Sequence, residues 1–128
     1  MSWQVYVDSN LVGTGKVARA AILGQKGGVW AASAGFTLTP EEQKAITAAF
    51  GNLGATQASG VRLAGQKFFV TRTDEVDSVI HGRKQNDGCT IVKTKQAILV
   101  TEYDAPTQAQ ESFTVVDGLA KYLRSVGY

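Results

Sequence analysis

Apolar residues recur with two different periods along this chain, and the change of period divides it into elements. Near the start, Trp3 and Tyr6 stand three residues apart behind Ser2, whose hydroxyl can accept from the free N–H groups of a first helical turn. Residues 1–11 therefore read as a short helix, marginal alone because nucleation is costly, which must dock on another element. At the far end Val116, Leu119, Leu123 and Val126 step by three or four and mark the buried stripe of a last helix beginning near Thr107. A middle helix opens at Thr39-Pro40-Glu41-Glu42, with Thr39 as cap, Pro40 in the first helical position and Glu42 completing a capping box. Its stripe is Ala45, Ile46, Ala49 and Phe50, and Gly51 is its stop.

Between these helices lie short runs of strand character, bounded by turn residues. Residues 17–24 and 29–34 form a pair joined at Gln25-Lys26-Gly27-Gly28, and residues 51–60 read as loop with one short helical turn. Strands follow at 61–63, 67–73, 77–82, 89–93 and 97–103, with turns at Ala64-Gly65 and Asn86-Asp87-Gly88. Asp104-Ala105-Pro106 breaks the last of them. Neighbouring strands joined by short turns form an antiparallel sheet, so the expected fold is α+β, one domain over 1–128. The N- and C-terminal helices should cover one face of the sheet and the smaller helices the other. The chain shows no repeat, linker or low-complexity tract.

Composition narrows the picture further. Hydrophobic residues make up 44% and the net charge is only +2, which excludes a disordered chain. No apolar run approaches a membrane span and no secretory signal opens the chain. A single cysteine, Cys89, excludes an internal disulfide and fits a reducing compartment, so a cytoplasmic location is expected. The balance of 13 basic to 11 acidic residues does not point to nucleic acid. Residues 62–95 nevertheless concentrate Arg62, Lys67, Arg72, Arg83, Lys84, Lys93 and Lys95 against Asp74, Glu75, Asp77 and Asp87. This span is either a modest basic surface suited to an acidic partner or lipid headgroups, or simply solvated strand faces and turns.

Catalytic chemistry is missing. His81 and Cys89 are the only residues of their kinds, so no His–Cys cluster can build a zinc site, and no nucleophile elbow accompanies the histidine. Gly13-Thr14-Gly15-Lys16 fails as a phosphate loop, because it follows a helix and has Val17 where Ser or Thr is required. We expect no enzyme, no metal and no cofactor.

Aromatic residues are more informative. Terminal helices lying side by side would gather Trp3, Tyr6, Tyr122 and Tyr128, with Trp30 beneath or beside Trp3. A polyproline II ligand is stiff, has three residues per turn and leaves its carbonyls unbonded. Flat aromatic surfaces with Trp N–H and Tyr O–H tips suit it. The competing reading is ordinary core. Against it, Trp3 and Tyr128 lie at chain ends, where burial is hard to secure, and all five rings are Trp or Tyr rather than Phe.

Several segments also carry a family resemblance. Ser-Trp-Gln-Val-Tyr-Val-Asp at 2–8, Leu-Val-Gly-Thr-Gly at 11–15, Val29-Trp30-Ala31, Gly65-Gln66-Lys67 and the stretch 121–128 follow in the order seen in profilins, and the chain resembles their short, non-vertebrate kind. The resemblance implies that Trp3, Tyr6, Trp30, Tyr122 and Tyr128 bind proline-rich segments such as those of formins. It implies binding of monomeric actin through Lys67, Val70, Arg72, Arg83 and Lys84, and through residues 110–117 with Gln110, Phe113, Thr114 and Asp117. It extends to phosphatidylinositol bisphosphate at Arg72, Arg83 and Lys84, and to a monomer that regulates actin polymerisation. Two points stand apart from it. Strand alternation puts Val70 and Arg72 on one face and Lys67 on the other, so the turn at Gly65 must release Lys67 or the surface must wrap an edge. Gln110 replaces a glycine common among relatives, and with Phe113 it could crowd the contact. The alternative function is therefore a proline-rich-peptide adaptor with weak or lost actin binding.

Overall fold

The computed structural model describes residues 2–128; Met1, the first residue of the expected helix, lies outside them. Seven strands form one antiparallel sheet: β1 (Arg19–Gly24), β2 (Val29–Ala32), β3 (Val61–Leu63), β4 (Gln66–Asp74), β5 (Val79–Lys84), β6 (Asp87–Lys93) and β7 (Ala97–Tyr103). Their spatial order is β2-β1-β7-β6-β5-β4-β3. Strand β7 lies inside the sheet between β1 and β6, is covered on both sides, and is buried along its whole length.

Strand alternation sorts the side chains into two cores. Ile22, Val79, Val92 and Leu99 face the helices at the chain ends, meeting Val7 and Leu11 from the first and Val116, Leu119, Ala120 and Leu123 from the last. On the opposite face Ile80, Ile91, Ile98 and Val100 meet Ile46 and Ala49 of the middle helix, with Leu53 packed alongside. This is the two-sided α+β arrangement that the sequence leads one to expect. No helix among the described residues is long and apolar enough to cross a membrane.

The first helix, α1, is one α-turn (Trp3–Val5) capped by Ser2, whose Oγ accepts from the Val5 N–H at 3.3 Å. It widens into a π-helical segment, Tyr6–Leu11, and ends in a 3₁₀ turn, Val12–Thr14. The middle helix, α2 (Pro40–Ala49), has the expected capping box. Its buried stripe is shifted from expectation, for Ala45 is exposed and Glu42 turns inward. The cause is hydrogen bonding, because the Glu42 carboxylate accepts from the N–H groups of Thr39, Ala64 and Gly65 at 2.9, 3.0 and 2.8 Å. Burial pushes its pKa up, but these backbone donors outweigh it and hold it below the usual carboxylate range.

Residues 51–60 contain a second small helix, α3 (Leu53–Ser59), longer than the single turn expected. Asn52 Oδ1 caps it through the Ala55 N–H, and Gly60 at φ +80° ends it. Only Leu53 of its side chains packs on the core as a large apolar group, so hydrophobic periodicity could not reveal it. The last helix, α4 (Ala109–Ser125), starts two residues later than expected, with Gln108 and Glu111 forming the capping box. Val126 falls beyond its end and is 49% exposed, so it leaves the expected stripe, while Ala120 is fully buried within it.

The β5–β6 turn lies at Gln85-Asn86 rather than at Asn86-Asp87-Gly88, and Asp87 and Gly88 already pair in β6. Gly88 serves another purpose. A Cβ there would collide with the Tyr103 ring, so the glycine makes room for a buried tyrosine.

Candidate functional site

The two terminal helices meet on one face of the sheet and bring the five aromatic residues together. Trp3 is the hub: its ring centroid lies 4.7 Å from Trp30, 5.1 Å from Tyr128 and 5.5 Å from Tyr6. Tyr6 is 6.3 Å from Tyr122, which closes the cluster onto α4. These edge and tilted contacts suit ring quadrupoles. Tyr122 and Tyr128 remain 48% and 41% exposed, and Trp3, Tyr6 and Trp30 are half-buried. The rings thus form neither a closed core nor scattered surface.

Contacts beside the rings hold the cluster together. Gln4 Nε2 donates to the Ala32 carbonyl at 2.8 Å and joins α1 to β2, the strand of Trp30. Gly24 admits the Trp30 indole, because a Cβ there would sit 2.6 Å from its Nε1. The Tyr128 main-chain oxygen accepts from Thr94 Oγ1 and from the Gln96 N–H, both at 2.6 Å, which fixes its ring beside Trp3. Lys16 and Glu111 pair at 2.7 Å and link the segment after α1 to the start of α4. Burial, then the Tyr122 hydroxyl, raise the pKa of the Tyr6 phenol, so the Tyr6 hydroxyl keeps its proton at neutral pH. Past Tyr6 and Tyr122 the surface opens into a trough of about 570 Å³, walled by Val5, Asn10, Thr114 and Gly118.

The basic residues of the strands are distributed by register. Phe69 pairs with Arg83, Val70 with Gly82, and then Arg72 with His81, with the register shifting between Val70 and Arg72. The β-bulge inserts Thr71 and reverses the parity of everything after it. Arg72 therefore shares a face with Lys67, Phe69, His81 and Arg83, while Val70 packs towards the opposite core. The expected conflict over Lys67 disappears, and Val70 rather than Lys67 is the residue that faces away. Lys84 also faces away, into a cleft of about 350 Å³ with Arg19, Asp87 and Glu102. The sequence-adjacent pair Arg83 and Lys84 is thus split between the two faces, as strand geometry demands.

Helix α4 flanks this strand face. Phe113 lies 5.2 Å from the His81 ring, and Arg72 Nη2 lies 3.3 Å from His81 Nε2. Gln110 and Thr114 are exposed one turn apart, and Asp117 pairs with Lys121 at 3.0 Å. Phe113 and Tyr122 are nine positions apart on α4, two and a half turns and about 13 Å, which places them on opposite sides of the helix. Of the two, Phe113 meets the strand face and Tyr122 meets the aromatic cluster.

Comparison with known proteins agrees over the whole length. The Profilin family matches residues 1–128. Profilin-1A of Acanthamoeba castellanii is 46% identical over 128 residues, covering 100% of both chains. The chain belongs to the profilin family. A solved Schizosaccharomyces pombe profilin superposes with a TM-score of 0.94 at 44% identity, covering 99% of this chain and 100% of that one. Mouse profilin IIa, solved in complex with a double repeat from the FH1 domain of mDia1, shares the fold with a TM-score of 0.82 at 24% identity, each chain covered in full. Profilins are actin-binding regulatory proteins, not enzymes.

Two residues of this profilin's strand face escaped sequence reasoning. Phe69 is 69% exposed, with Lys67 Nζ 5.7 Å from its ring centroid. Its neighbour Phe68 is buried, and only the strand register tells the two apart. His81 draws attention in the sequence only as a lone histidine, and its contacts with Arg72 and Phe113 come from elements distant in sequence. Cys89 is buried and burial pushes its thiol pKa up, so it is no nucleophile.

Proposed function

We propose that this chain binds actin monomers and proline-rich ligands on separate surfaces and so regulates filament growth in the cytoplasm, as one monomeric domain. The observation that carries the reading is the aromatic cluster of Trp3, Tyr6, Trp30, Tyr122 and Tyr128, half-open on the terminal helices and away from the basic strand face. Neither indole N–H donates to a protein group among the described residues, which leaves both for the unbonded carbonyls of a polyproline II segment. The fold shared with the FH1-bound mouse profilin IIa agrees with a formin-type ligand.

The actin contact is assigned to Lys67, Arg72 and Arg83 with Gln110, Phe113, Thr114 and Asp117 of α4. Val70 and Lys84 take part only where the partner wraps the sheet edge. Phe113 lies against His81 instead of projecting, which favours retained actin binding over the adaptor alternative. Bound monomers would be kept from spontaneous nucleation and delivered to growing barbed ends. Arg72 and Arg83 are assigned to phosphoinositide headgroups as well, with Lys84 reached from the other face. Polyproline beads loaded with the protein test the reading: they should retain monomeric actin. If actin elutes the protein, the surfaces overlap; if the beads hold the protein and ignore actin, the adaptor reading replaces this one.

A further inference from the structure

The strand face contains a side chain that the assigned contacts do not use. His81 sits on β5 between Arg72 of β4 and Phe113 of α4, touching both. Among the described residues, the imidazole is the only side-chain polar group bonded to the Arg72 guanidinium, which has no carboxylate partner. An arginine without such a hold samples many rotamers, and ordering it on binding costs affinity. We propose that His81 is a positioning residue: its neutral Nε2 accepts from Arg72, seats the guanidinium beside Phe113, and thereby prepares the face for actin. This rests on the assignment of that face to actin.

The chemistry makes the arrangement conditional on protonation. Nε2 can accept only while the ring is neutral; protonation turns it into a donor and sets a second positive charge beside Arg72. The groups facing His81 are Arg72 and Asp74 from β4, Arg83 two positions along β5, Thr90 opposite on β6, and Phe113 of α4, with Asp117 one turn further on and bound to Lys121. Burial, then the Arg72 charge, hold the imidazole pKa below its ordinary value, against a smaller opposing effect of Asp74. The ring is therefore neutral at pH 7 and acquires its proton on the acid side. Arg72 is released as pH falls through that lowered pKa.

The chain has one histidine, so the imidazole resonances of the free protein report His81 alone. Arg72→Ala should raise the His81 pKa in an NMR titration, because a repelling charge is removed; an unchanged value would break the proposed pair without any reference to actin. Binding of monomeric actin is then measured from pH 8 down to the pH at which the same titration shows the imidazole protonated. The parent should weaken by roughly three- to tenfold over that range, the usual net worth of one intramolecular hydrogen bond. His81→Gln, which keeps an acceptor and cannot titrate, should bind as well as the parent at pH 8 with a flatter profile. His81→Phe keeps the packing on Phe113 without the acceptor; it should bind more weakly at every pH and add no further loss to Arg72→Ala. Polyproline retention, unchanged in all variants, confirms that they are folded. If parent and His81→Gln share one pH profile, or if the parent binds more tightly as the ring gains charge, the positioning role is wrong. If Arg72→Glu itself leaves actin binding intact, the actin face is misplaced and the proposal falls with it.

Discussion

The aromatic cluster and the basic strand face are built by opposite means. The cluster takes residues from both ends of the sequence and one from β2, and holds them by ring contacts of 4.7 to 6.3 Å along its principal pairs. It forms only when α1 and α4 dock side by side, and a single helical turn such as Trp3–Val5 has no stability of its own. The strand face takes its residues mainly from two neighbouring strands, and the hydrogen-bond ladder sets which of them appear together. One surface depends on packing between distant segments and the other on register. The first should therefore be sensitive to loss of ring area, and the second to charge and to anything that disturbs the β3–β4 and β4–β5 turns.

Trp3→Ala strikes the first surface at its hub. It should cost roughly 2 kcal/mol or more of polyproline binding, as removal of a central aromatic anchor does. Retention on immobilised polyproline reads the loss, and actin binding should stay near parental. A matching loss of actin binding would mean that the two regions are not independent.

Glu42→Gln tests the opposite side. The carboxylate secures the Ala64-Gly65 turn from which β4 and Lys67 emerge, and loss of its charge should lower stability by about 1–2 kcal/mol. The folded-state pKa of Glu42 is depressed, so its contribution is present above the ordinary carboxylate pKa and is lost as pH falls through the folded value. Denaturation midpoints of parent and variant should accordingly differ at pH 7 and converge in acid. Weaker actin binding with unchanged polyproline retention would tie the turn to the strand face alone.

Arg72→Glu should weaken actin binding by about tenfold, since reversed charge opposes both encounter and the docked state. The lag before polymerisation of monomeric actin, with and without the variant, measures it. A folded variant as effective as the parent would remove the β4 face from the contact.

The smallest effect concerns lipid. Arg83→Glu should reduce binding to vesicles containing phosphatidylinositol bisphosphate by about fivefold, fading with salt. Lys84→Glu should change it less, because the side chain lies on the other face. Equal losses from the two would show that the headgroup site wraps the sheet.

Local chemistry made much of this protein readable from its sequence. Ser2 and the Thr39–Glu42 box cap their helices as their residue types require, and Val116, Leu119 and Leu123 are buried at the spacing that marked them. The profilin family was legible for the same reason, in short segments kept in order over the whole chain. Wherever an interaction between distant segments outweighed the local pattern, the reading moved. Backbone donors from the β3–β4 turn pull Glu42 inward, Tyr103 claims the space at Gly88, and Asn52 sustains a helix with little apolar face. The bulge at Thr71 is the clearest case. Alternation along β4 is local, but the inserted residue is defined only by what β5 places opposite it. Which residues exist and which elements they favour followed from the chain itself. Which of them share a surface, Lys67 with Arg72, Trp3 with Tyr128, His81 with Phe113, was decided by tertiary structure, because register and docking are relations between segments that no single segment contains.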